Sequence, residues 1–371
     1  MTQSQLELRR KLYFEINSQI AQIDNARLGG MFDNSEPHGS WGKHQVMDVG
    51  GSKVFVKRVP VTQIEYENMF STRNMYELPA FYNYGYGSVG LGVWRELVMH
   101  IKTTNWVLAG EIATFPLMYH YRIVAFDGVR ADIDGEQHAR YVAYWGGDDN
   151  IGRYMQDRAR AEYELVLFLE YVPHDAASWL LNNPPGMSDM IEAMEATVAF
   201  LRKKGIIHFD AHFLNILTDS KQAYLTDFGL VLDRHFDLTP AEKQFYRQNT
   251  NYDYGLLLWN LGAHVVSMYH YMPEAERVKI SERYCVSPQD EYEKRINVLL
   301  SNLGDIVSNG FMKVDQWHMA NLAEYESIIT LMHDFRWSMR KNNAKDDRFP
   351  NAKLGHLLKK TGFVPGRVAT S

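Results

Sequence analysis

The chain has 371 residues, of which 46% are hydrophobic, with one cysteine and a formal net charge of −6; that is enough for one large two-part domain or two ordinary ones. The negative balance argues against a broad basic platform for nucleic acid. Lone Cys285 excludes an internal disulfide framework, suits a reducing compartment and is expected as a small core residue. No apolar run approaches the roughly 20 residues of a membrane helix, and the N-terminal MTQSQLELRRKLYFEIN mixes charge among its apolar positions, unlike a secretory leader. The expectation is a cytoplasmic protein with no membrane span.

In chain order, residues 4–27 place Leu8, Leu12, Ile16, Ile20 and Ile23 at helical spacing, and Gly29-Gly30 is expected to end that helix. Residues 39–59 read as turn, strand, a second turn at Gly50-Gly51, and strand. On that second strand the alternation puts Lys53, Phe55 and Lys57 on one face and Val54, Val56 and Arg58 on the other. The segment YELPAFYNYGYGSVGLGVW, residues 76–94, crowds tyrosine and glycine; it is expected as an ordered insertion loop, because no strand leads into its glycines. Residues 94–108 form a helix with Leu97, Ile101 and Leu108 on one face and Glu96 near its start. Three strands are expected at 118–126, 139–145 and 163–172, with a helix at 151–161 between the last two. After a helix at 187–204, residues 256–341 are mostly helical, notably 290–307 and 319–342, and a basic frayed tail follows.

The chemistry concentrates in residues 205–230, GIIHFDAHFLNILTDSKQAYLTDFGL. Two short apolar runs, 216–218 and 223–226, flank a polar turn and fit a β-hairpin with a loop at each end. That geometry brings Asp210, Asn215 and Asp227 to one edge of a small sheet. Two of the three can hold a divalent cation through oxygen, which leaves one carboxylate to accept a proton.

His208-x-Asp210 followed by Asn215, with Asp227-Phe228-Gly229 one hairpin downstream, resembles the catalytic and metal-binding loops of the protein kinase superfamily. The resemblance covers roughly residues 37–260 and implies an α+β, bilobal fold. It would comprise an N-terminal helical extension (1–36), a β-rich N-lobe with one key helix (37–171) and a helical C-lobe with a C-terminal extension (172–371). It implies ATP with Mg²⁺, or Mn²⁺ in its place, and transfer of the γ-phosphoryl group to a hydroxyl. By the same resemblance Asp210 orients and deprotonates the acceptor, Asn215 and Asp227 hold the metal, and Lys57, paired with Glu96, reaches the phosphates. Gly39 and Gly42 match the latter half of a phosphate-covering glycine loop, with Pro37 where its first glycine would fall. Glu170 and Val172 match the backbone positions that read adenine. Asp253 matches the aspartate that braces the catalytic loop, and Thr239-Pro-Ala-Glu242 is a degenerate match to the motif before it or an ordinary helix start.

Departures bear on the substrate. His212 stands where protein Ser/Thr kinases carry lysine and resembles the aminoglycoside and choline kinase branch. The expected partner is therefore a protein Ser/Thr, with a small hydroxyl-bearing acceptor as the alternative and nucleotidyl transfer or a pseudokinase behind both. A metallohydrolase built on His208, Asp210 and His212 is the competitor from another class. Phe209 replaces the arginine that would pair with a phosphorylated activation loop, so activity is expected not to depend on phosphorylation of the segment, where Thr239 is the candidate site.

Overall fold

The computed structural model describes residues 3–32, 43–126 and 133–363. Gly39 and Gly42, together with Arg367 of the tail, lie outside the described residues.

The chain opens with α1 (Gln3–Ala21) and α2 (Asn25–Phe32). These are two helices where one was expected, and Gly29-Gly30 lies inside the second. The break falls earlier, where Asp24 Oδ1 accepts the Arg27 amide at 2.9 Å and restarts the helix. Strands β1 (Lys43–Val49) and β2 (Ser52–Val61) follow as a hairpin. Gly50 and Gly51 sit at φ +61° and +83°, the left-handed pair a two-residue hairpin turn requires. Then come α3 (Gln63–Glu67), α4 (Val93–Ala109), β3 (Met118–Ala125), α5 (Gly135–Tyr144), α6 (Asp149–Ala159) and β4 (Tyr163–Glu170).

The four strands form one antiparallel sheet in the order β1-β2-β4-β3. Its central strand β4 is buried on both faces, which explains its uninterrupted apolar run. Leu165, Leu167 and Leu169 join Val59 of β2 and Trp94 and Leu97 of α4 in one cluster. Val166 and Phe168 point the other way and join Val54, Val56 and the helical residues Ile16, Ile20, Leu28 and Phe32. Burying each such side chain contributes about 1.5–3 kcal/mol, so this sandwich fixes which face of β2 meets α4. Lys57 lies on that face. The expected strand at 139–145 is instead the end of α5. Its ARYVAYW alternates like a strand, but Asp134 caps the segment by accepting the amides of Glu136 and Gln137, and the capped backbone runs on as a helix.

The second part of the chain is mostly helix. Its first elements are β5 (His174–Asp175), α7 (Ala176–Asn182), α8 (Gly186–Lys204), β6 (Ile206–Ile207), β7 (Ile216–Thr218), β8 (Ala223–Leu225) and β9 (Leu232–Asp233). There follow α9 (Pro240–Gln248), α10 (Tyr252–Tyr271), α11 (Glu274–Tyr284), α12 (Tyr292–Ser301), α13 (Leu303–Ser308), α14 (Gln316–Glu324), α15 (Glu326–Lys341) and α16 (Asn351–Lys360). Helix α10 is apolar around most of its circumference and buried accordingly. Each of the two long helices expected at 290–307 and 319–342 is a pair. At the start of the tail, α16 docks through Leu354 and Leu358. Cys285 is exposed rather than in the core, because it forms the left-handed cap of α11 at φ +54°. No helix among the described residues is long and apolar enough to cross a membrane. The result is an α+β structure, a small antiparallel sheet beside a larger helical part, in keeping with the expected two-part layout.

Candidate active site

Lys57 extends from the α4 face of β2, and Glu96 lies in the first turn of α4. Their side chains form an ion pair at 2.6 Å, and Lys57 Nζ also lies 3.1 Å from Asp227 Oδ1. Burial alone would lower the Lys57 pKa, but Asp227 and Glu96 outweigh it and raise it. Burial would likewise raise Glu96 and Asp227, and Lys57 holds both below the usual carboxylate range. The triad is therefore charged at neutral pH.

The expected hairpin is β7 paired with β8. Asn215, just before β7, donates from Nδ2 to the Asp210 carbonyl at 3.0 Å and to Asp210 Oδ2 at 2.8 Å. His212 Nε2 lies 3.3 Å from Asp210 Oδ1. Burial, with help from Asp227, raises the Asp210 pKa against the opposing pull of His212 and Asn215, which moves the carboxylate toward useful basicity. Phe209 and Asp227 both hold positive φ, +65° and +61°. Such strain at non-glycine residues costs about 1–3 kcal/mol each, and here it flanks the two carboxylates.

Three features brace these loops. Asp253, at the start of α10, accepts the amides of His208 at 2.7 Å and Phe209 at 2.9 Å. His208 is fully buried, with Nε2 on the Thr226 carbonyl at 3.1 Å and Nδ1 accepting the Asp210 amide at 3.2 Å. Both ring nitrogens are thus engaged, and His208 is not free to ligate a metal with Asp210 and His212. Among the described residues no cluster of three or more His, Cys, Asp or Glu side chains is arranged for a metal. Finally, β6 pairs with β9, which ties the strand before Asp210 to the strand after Gly229.

A cavity of about 280 Å³ joins these groups, lined by Lys57, Glu96, Asp210, Asp227, Gly229 and Leu230, with Arg158 and residues of the 85–89 segment. The Tyr/Gly-rich insertion therefore forms part of the wall. Glu170 and Val172 do not line it. The Glu170 carboxylate turns instead to Arg9 of α1, at 2.6 Å, and borders a separate cavity of about 620 Å³. Val172 follows β4 as a half-buried residue.

The sequence gives no sign of several ion pairs that hold the site. Arg95, next to Glu96, pairs with Glu242 at 2.7 Å with both side chains 1% exposed. Arg58 pairs with Glu164 at 2.6 Å, and Lys102 of α4 bonds Asp233 of β9. Helix α4 is thereby fixed to the segment after Gly229 at two points. Thr239 proves to be a helix cap with a complete capping box to Glu242. Thr239→Ala is expected to lower the unfolding free energy by about 1 kcal/mol and to leave the rate unchanged, as read by urea titration and initial rates. A large rate loss, matched by dephosphorylated wild type, would make Thr239 a control site.

Buried titratable groups also set an acid limit. Burial holds His208 down to about 4 and His264 down to about 3, from an ordinary 6.5. Below pH 6.5 the unfolded chain therefore binds protons that the folded chain refuses, and stability falls with pH. Burial pushes Asp253 the other way, up to about 6 despite its two amide bonds. That group takes up its proton earlier when folded and offsets one histidine below pH 6. These three groups leave a net loss of about 1.4 kcal/mol per pH unit. Urea midpoints measured at falling pH should decrease steadily from 6.5 downward; a flat profile would contradict the buried neutral histidines.

No family model matches the chain. Over 99 residues, 25% of its length, the chain is 34% identical to the serine/threonine-protein kinase STE11 of Saccharomyces cerevisiae. The match spans 12% of that protein, so the likeness relates part of this chain to a small part of a kinase.

Proposed function

We propose that the protein is an ATP-dependent phosphotransferase with a bilobal, protein-kinase-like fold. The observation that carries this is Lys57 Nζ held between Glu96 and Asp227, with the Asp210 carboxylate on the same cavity. Such an arrangement offers a fixed cation for phosphate oxygens and a separate base for a hydroxyl, which is what transfer by positioning and charge stabilisation needs. Asp210 orients the acceptor and takes its proton. Lys57, fixed by Glu96, receives the nucleotide phosphates.

The residues present fit Mg²⁺. Asp227 stays ionised, its side chain is 45% exposed, and Asn215 uses only its Nδ2 in the bonds to Asp210, which leaves Oδ1 as an acceptor. Few protein ligands are what Mg²⁺ beside substrate phosphates requires. When bound there, Mg²⁺ or Mn²⁺ neutralises charge on the phosphates. A cytoplasmic location belongs to the same proposal.

The partial likeness to a yeast serine/threonine-protein kinase makes protein Ser/Thr the first acceptor class. A small hydroxyl-bearing acceptor is favoured by a separate observation: an added Cβ at Gly85 would come within 2.9 Å of both Asp210 Oδ1 and Leu230, so the approach to Asp210 is narrowed on one side. Incubation with γ-labelled ATP, alone and with a cell lysate, separates the two. Label in protein supports the first, label in a small molecule other than phosphate supports the second, and label in neither removes the proposal.

A further inference from the structure

The cavity at Lys57 contains a second buried cation that has no partner acid among the described residues. Arg158, at the end of α6, is 8% exposed. Its Nη1 donates to Tyr154 Oη at 3.3 Å, and the guanidinium lies 5.4 Å from the centre of that ring. Among the described residues its side chain has no ion pair and no other hydrogen bond. Glu65 acts on it through space, but the Glu65 carboxylate is already taken up by the amide and hydroxyl of Thr62 and the amide of Val93. Nε and Nη2 have no partner among the described residues and are not sealed off, so they can meet an anion in the cavity.

The wall beside it is made of backbone. Gly85, Gly87 and Gly90 take φ of +69°, +89° and +87°. At Gly90 an added Cβ would come within 2.2 Å of the Gly229 carbonyl, so only glycine allows the segment to lie this close to Asp227-Phe228-Gly229. Gly87 is different: an added Cβ there would meet nothing within 4 Å, so the wall opens onto free space. The segment is pinned from behind, by Tyr141 Oη on the Gly87 carbonyl at 2.9 Å and Tyr84 Oη on Asn249 at 2.8 Å. A planar guanidinium beside exposed backbone is suited to a tetrahedral oxyanion.

We propose that Arg158 and the 85–90 wall form an oxyanion subsite for a phosphoryl-type dianion in the cavity shared with Lys57 and Asp210. The phosphotransferase proposal enters only in naming the source, either the γ-phosphate of the nucleotide or an anionic group on the acceptor.

The test uses the full chain with Mg²⁺ and measures binding of inorganic phosphate, ADP and the β,γ-imido analogue of ATP to wild type, Arg158→Gln and Arg158→Lys. Arg158→Gln should weaken phosphate binding by about tenfold or more, and Arg158→Lys should restore part of it. Loss of affinity for the imido analogue but not ADP assigns the subsite to the γ-phosphate. Unchanged nucleotide binding, with phosphate binding lost in the nucleotide-saturated variant, assigns it to the acceptor. In wild type, titrated phosphate should move the Arg158 Nε–H resonance, a readout that does not depend on the variant folding. A wild-type chain that binds phosphate through Arg158 but no nucleotide keeps the subsite and removes the phosphotransferase proposal. An unmoved Arg158 resonance, or an Arg158→Gln chain that folds and binds phosphate and the imido analogue as wild type does, overturns the subsite.

Discussion

Asp210→Asn should lower phosphoryl transfer by about a hundredfold to ten-thousandfold, the range a positioned general base contributes, while nucleotide affinity stays near wild type. The amide preserves the shape that Asn215 and His212 contact but cannot take up a proton. Asp227→Asn should behave differently. It removes the charge that Lys57 contacts at 3.1 Å and half of the proposed metal site, so Mg²⁺-dependent nucleotide binding should fall with the rate. Binding by calorimetry and single-turnover rates for both variants check this, and near-full transfer by Asp210→Asn would take the base role from that residue.

The second large effect separates chemistry from stability on one strand. Lys57→Met should abolish transfer, since Lys57 is the cation of the site; it also leaves Glu96, 5% exposed, without that cation and so costs stability as well. Its neighbour Arg58 faces the other side of β2, in a buried pair with Glu164 and 4.6 Å from the Phe32 ring. Arg58→Met removes the cation that pairs at 2.6 Å with Glu164, itself 2% exposed. Breaking a buried pair in this way costs about 3–5 kcal/mol, so urea unfolding should register Arg58→Met strongly, while the folded fraction of that variant keeps its transfer rate. Transfer abolished in folded Arg58→Met, as it is in Lys57→Met, would mean that the sandwich around β2 has been assigned the wrong way round.

The alternation along β2 and the 205–230 stretch were legible because each is specified locally. A period of two decides the faces of a strand, and loops at both ends of a hairpin must come together. Asp253 was legible only through the resemblance; in the folded chain it is the acceptor that the adjacent buried amides of His208 and Phe209 need. Other features were hidden by chemistry that is not local. The ARYVAYW segment carries a strand's pattern, and only the cap at Asp134 makes it a helix. Arg95, Arg58, Arg9 and Arg158 look in sequence like any solvated arginine, and their burial follows from partners roughly 100 or more residues away or, for Arg158, from a cavity. The 76–94 insertion showed its glycines but not their use, because their role is set by the backbone of Gly229 and the carboxylate of Asp210, which lie against it only in the folded chain.

The most direct measurement is calorimetric titration of the purified chain with ATP in the presence and absence of Mg²⁺. One saturable site that requires Mg²⁺, is weakened by Asp227→Asn and Lys57→Met, and is retained by Asp210→Asn is the predicted result. No binding of ATP by the folded wild-type chain at millimolar nucleotide, or binding indifferent to both Lys57 and Asp227, would contradict it.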